Sequence, residues 1–164
     1  MKQLDSFDMR AQRLREWCWA AVSVSIEAYY DKNTPWTECK IAQAEFGLSC
    51  CDSAEQCNKV SRLDPPLNRL HRLRGKPVFR RLSFQEIQKE IDSGRPIAVR
   101  VGWREGGGHF LVIRGYNVTP SGVHQVLLGD PFYGDSRTAY DHFCTSYQGS
   151  GTWTDTLLLR DPGQ

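Results

Sequence analysis

At residue 96 the pattern of the chain changes, and that change limits the possible folds most. Before it, apolar residues recur at helical spacing. After it come short runs of β-branched and aromatic residues divided by glycine-bearing turns. The boundary is the stretch "SFQEIQKEIDSGRP", residues 83–96. Ser83 and Glu86 have capping-box spacing, Phe84, Ile87 and Ile91 make one apolar stripe, and Gly94 with Pro96 closes the helix. Upstream, Ala20, Ala21, Val24 and Ala28 predict a helix over 18–30, and a second runs over 37–46 until Gly47 stops it. Pro65 and Pro66 start a third, reaching about Arg74, after a polar, cysteine-bearing loop over 48–60. Downstream, "PIAVRVGW", "HFLVIRGY", "VHQVLLGD" and "TWTDTLLLR" read as strands of an antiparallel sheet. The expectation is an α+β chain, with a helical part over about 1–95 and a β part over about 96–164. At 164 residues this is the length of one domain.

Charge and hydropathy exclude some functions. No apolar run approaches the roughly 20 residues that span a bilayer. The opening "MKQLDSFDMR" has no apolar core of the kind a signal peptide carries. Between Lys59 and Arg81 eight cations face only Asp64, a local +7 in a chain whose total is +2, so the remainder is −5. Such a segment reads first as a solvated face. Without interleaved aromatics or a recognition motif it does not point to nucleic acid.

Chemistry concentrates elsewhere. In "REWCWAAVSVSIEAYY" Cys18 stands between Trp17 and Trp19 at the head of the first helix. There, unpaired backbone N–H groups and the helix dipole favour an anion, and the thiolate is the reactive form of cysteine. A cysteine packed as a small hydrophobe is the competing reading. Gln12, six residues upstream, is placed to offer a side-chain amide to an oxyanion beside the N–H of Cys18.

A thiolate needs an imidazole partner, and the chain has four histidines. His71 falls in the basic segment and His124 on a half-exposed strand. His142 lies two residues before Cys144, a rival pair on one strand face but without a helix terminus. His109 follows "GGG" and opens a buried strand, where Gly107 and Gly108 let another chain pass close to the backbone. An imidazole works best when a third group orients it. Asp130 ends the next strand, and a turn at Pro120–Gly122 would bring it beside His109. Asn117, at the far end of the His109 strand, is a weaker candidate. Asp130 as a plain turn residue before proline is the competing reading.

Taken in order, Gln12, "WCWAA" at 17–21, "GGHFLVIRGY" at 107–116 and "GDP" at 129–131 resemble the papain-like cysteine proteases. The resemblance is closest to the compact bacterial branch with staphopains, a type III effector protease and double-glycine bacteriocin-processing peptidases. It implies a helical part and a β part with the active site in the cleft between them. It also implies Cys18 as nucleophile, His109 as acid–base, Asp130 as orienter and Gln12 in the oxyanion hole. Asp130 stands where papain carries asparagine. The cysteine spacing "C…CC…CN" at 39–58 resembles that branch too. Trp17, Trp19 and Trp103, with Gly107 and Gly108, are the candidate substrate-binding residues. If two of the rings overhang the cleft, its subsites admit only small residues or paired glycines. Core packing of all three is the competing reading.

Four of the remaining cysteines, Cys39, Cys50, Cys51 and Cys57, sit within about twenty residues. A bridge between adjacent Cys50 and Cys51 is sterically awkward, which leaves 39–50 with 51–57, or 39–51 with 50–57. Zinc ligation lacks the usual closely spaced ligand pairs, and reduced thiols are the other alternative. Cys144 reads as a buried free thiol. The leading function is a cysteine endopeptidase acting on a protein or peptide, with no cofactor and no metal. A glutamine deamidase or transglutaminase would use the same triad. A non-catalytic disulfide-stapled module holding an acidic partner is the rival from another class. With no leader or propeptide in view, the resemblance suggests a secreted bacterial toxin or effector. It would be delivered by a specialised system and restrained by a cognate immunity protein.

Overall fold

The computed structural model describes residues 1–163. Helix α1 (Cys18–Tyr30) starts at the cysteine, and every residue from Trp19 to Glu27 is buried. Its small side chains allow that. The Ser23 and Ser25 hydroxyls donate back to the carbonyls of Trp19 and Ala21, and Ser25 Oγ also accepts from the Arg10 N–H. Buried Glu27 is held by Arg72 at 2.7 Å. Helix α2 (Glu38–Phe46) is capped by the Thr37 hydroxyl and ends at Gly47, whose φ of 66° is the left-handed turn that glycine adopts freely. A 3-10 turn covers Ala54–Cys57, and α3 (Asp64–Arg69) is shorter than its sequence suggests. The chain beyond it leaves the helix so that Leu73 can bridge to Leu159. Helix α4 (Phe84–Asp92) carries the expected capping box, with Arg80 clamped on Glu86.

The sheet is antiparallel, in the order β5 (Ser136–Ala139), β4 (His124–Gly129), β3 (Gly108–Val118), β2 (Ile97–Trp103), β6 (Gly151–Leu157). Strand β1 (Lys2–Gln3) pairs with Tyr116 and Gly115, past the point where β2 stops pairing with β3. The N-terminus therefore belongs to the sheet, outside the simple division at residue 96. A fifth helix, α5 (Tyr140–Ser146), joins β5 to β6. It is seven residues long, too short to show a helical period. Helix α1 packs against α2 on one side and β3 on the other. One apolar cluster joins them, running through Ile26, Leu67, Ile91, Leu111 and Val126. Where β2 meets β6 the register shifts between Arg100 and Val101, leaving Thr154 as the extra residue of a bulge.

The basic segment is largely the solvated face expected, with six of its eight cations exposed. Five of its cations are paired: Arg62 with Asp64, Arg69 with Glu45, Arg72 with Glu27, Arg74 with Glu90 and Arg80 with Glu86. Arg72 and Arg74 tie the segment to α1 and α4, while Lys59, Arg62, Arg69, Lys76, Arg80 and Arg81 remain exposed. Among the described residues no helix is long and apolar enough to cross a membrane.

Candidate active site

Two disulfides, Cys39–Cys51 and Cys50–Cys57, staple the loop between α2 and α3. These four cysteines are therefore not available as zinc ligands. The stapled loop explains the tryptophans around Cys18. The Trp17 indole N–H donates to the Cys57 carbonyl at 2.7 Å, and the Trp19 indole N–H to the Lys59 carbonyl at 3.0 Å. The Glu16 backbone N–H donates to Oδ1 of Asn58. Residues 16, 17 and 19 are thus moored to 57, 58 and 59, and Cys18 is fixed between the moorings. Both rings are buried, Trp17 at 1% and Trp19 at 0% exposure. As cleft-overhanging subsite walls they are corrected to core packing, because each indole is apolar and finds its one acceptor inward. Trp103 is the one of the three with surface left at the cleft. The narrowing that needed two overhanging rings is absent.

The pairing of β3 with β4 sets Val112 opposite Gly129, so Asp130 emerges beside His109. His109 Nε2 and Asp130 Oδ1 are 2.9 Å apart, with both residues buried. Cys18 lines the same cleft as His109, and its proximity also favours the charged imidazole. Burial opposes the imidazolium, but Asp130 and Cys18 together outweigh it and push the His109 pKa up to about 9. Asp130 is disfavoured as an anion by burial, yet its donors hold it below the usual carboxylate range. Besides His109 these are the backbone N–H groups of Phe132 and Tyr133, at 2.7 and 2.9 Å, and the Tyr147 hydroxyl at 2.7 Å. Sequence reasoning missed Tyr147. It follows α5 in an irregular turn, and only the nearby glycines hint at the bend.

The rival histidines lie apart from this cluster. His71 and His124 are exposed, and His124 stacks on Phe84. His142 and Cys144 do not share a strand face, for both lie on α5, where His142 is exposed and Cys144 buried. Burial pushes the Cys144 thiol up, which keeps it unreactive. The Asn117 amide donates to Gln125, far from the ring. Gln12 lines the cleft with Cys18, but both its N–H bonds go to the Leu14 and Arg15 carbonyls, while its Oε1 is buried without a partner. Donation to an oxyanion takes a turn of this amide. The Cys18 N–H, at the first helical position, has no hydrogen-bond partner among the described residues.

These groups line an open cleft of about 1250 Å³. Gly106 and Gly107 take positive φ in the turn that leads to His109. Gly108 has a different reason to be glycine, since a Cβ there would lie 2.5 Å from the guanidinium of Arg100. Phe132 and Tyr133 form one rim of the cleft, Val60 and Phe79 another, all well exposed. Among the described residues no three His, Cys, Asp or Glu side chains are placed to hold a metal ion.

The Peptidase_C39 like family matches residues 4–156. Among solved structures, the Pseudomonas avirulence protein AvrPphB is similar at 12% identity with a TM-score of 0.49, over 96% of this chain and 99% of that one. No curated protein sequence matches significantly.

Proposed function

The chain belongs to the Peptidase C39-like family and is a cysteine peptidase; from that premise we propose that Cys18, His109 and Asp130 form its catalytic triad. The observation that carries the assignment is the ring of His109, held by Asp130 at 2.9 Å in the cleft that Cys18 also lines. In this reading the Cys18 thiolate attacks the scissile carbonyl carbon. The resulting oxyanion takes the Cys18 N–H and, once it has turned, the Gln12 amide. The His109 imidazolium passes its proton to the leaving amine as the C–N bond breaks, and a thioester remains on Cys18. His109, now neutral, takes a proton from water as its oxygen attacks. The thiolate leaves, the acid half is released, and the pair is restored.

The two disulfides support work in oxidising surroundings, and with them a secreted effector or toxin restrained in its producer by an immunity protein. The test is digestion of an unfolded protein substrate. Cys18→Ala abolishes cleavage with the wild-type melting temperature kept, and His109→Ala also abolishes it but melts earlier, because buried Asp130 loses its partner. Undiminished cleavage by either variant removes the triad. Ammonia release from glutamine without peptide cleavage would transfer the same residues to a deamidase.

A further inference from the structure

Arg100 is one of the charged side chains at the cleft that peptide-bond chemistry leaves unused. It lies on β2, and its guanidinium rests against the backbone of Gly108, the residue before His109. The bulge at Thr154 holds it there, since Arg100 Nη1 donates to Thr154 Oγ1 at 3.1 Å. Its register partner on β6, Asp155, makes no ion pair with it. Among the described residues, its Nε and Nη2 have no acceptor, yet neither is buried without a partner. That Nε–Nη2 edge is the one that grips a carboxylate with two parallel hydrogen bonds, and it lies next to Gly108, where only a missing Cβ leaves it room. Arg15 and Lys76 also line the cleft without carboxylate partners, against unpaired Glu16 and Asp155.

We propose that Arg100 binds a substrate carboxylate, so that the peptidase prefers segments with Asp or Glu within two residues of the cleaved bond. The inference rests on the peptidase reading and adds the substrate class. Asp155 tempers the preference, because it places a second negative charge near any carboxylate that docks on Arg100.

The test is a fluorogenic peptide library varied at two positions on each side of the bond, scored by kcat/KM. Wild-type enzyme favours Asp or Glu over Asn or Gln at one position, by on the order of 10- to 100-fold for a charge-assisted pair. Arg100→Gln levels that ratio, and Arg100→Glu turns it toward Lys and Arg. Should the Arg100 variants melt below the assay temperature, Asp155→Asn decides, since it leaves Arg100 in place and raises the ratio; an unchanged or lower ratio counts against the proposal. Cleavage with no acidic preference, or a preference that survives Arg100→Gln, overturns the inference and leaves the peptidase intact. A library in which nothing is cut overturns both.

Discussion

With His109, Phe132 N–H and Tyr133 N–H on one oxygen and the Tyr147 hydroxyl on the other, the Asp130 carboxylate is satisfied from inside the protein. It therefore holds both the imidazole and the turn that carries Phe132 and Tyr133. Its charge also sets the titration of the ring. His109 is raised from 6.5 to about 9, so the imidazolium is favoured in the folded state. That stabilisation is complete below about pH 6.5 and fades as the pH climbs through about 9. The thiolate–imidazolium pair fades over the same window, because the proton needed by the leaving amine is gone. Peptide cleavage should therefore lose kcat/KM on an alkaline limb near pH 9. Asp130→Asn keeps the shape and an acceptor but removes the charge, so the limb should move down toward the ordinary imidazole value. A limb that stays in place in Asp130→Asn would show that the carboxylate does not control the ring.

The stapled loop and the head of α1 act as one element. Its bridges close short loops, with sequence separations of 12 and 7, each contributing about 2–3 kcal/mol on the chain-entropy account. Positioning is the second consequence, since the carbonyls that moor Trp17 and Trp19 come from the end of that loop. Trp17→Phe keeps an aromatic ring but loses the N–H and part of the indole's volume, so the unpaired buried carbonyl, at about 1–3 kcal/mol, adds to the cost of a small cavity. Both Trp17→Phe and the pair Cys50→Ser with Cys57→Ser should melt earlier. Both should also lose kcat more than KM, because Cys18 is held less firmly. Earlier melting with kcat intact would confine the loop to a stabilising role.

At the scale of the whole molecule, the parts with local signatures were legible before any coordinates. The capping box at Ser83, the helix head at Cys18 and the strand mouth at His109 each carry their own punctuation. Asp130 needed only one hairpin to be placed. Other residues depend on how distant segments meet. Tyr147 reaches Asp130 through a turn after a short helix, and Arg100 is aimed by a bulge in a neighbouring strand. The tryptophans were ambiguous because a ring beside a nucleophile can face either way, and carbonyls some forty residues along the chain decide it. The basic segment's exposure was legible, but charge in a sequence does not reveal its partners, which lie on α1, α2 and α4 as well as on the segment's own Asp64.

The central claim is that a substrate's acyl half becomes a thioester on Cys18. It is tested most directly by quenching the enzyme in acid within its first turnover of a cleaved peptide and locating the added mass by tandem mass spectrometry. An adduct of the acyl half is expected on Cys18, absent from Cys18→Ala and never on Cys144. Cleavage that proceeds with Cys18 unmodified and replaceable would contradict it.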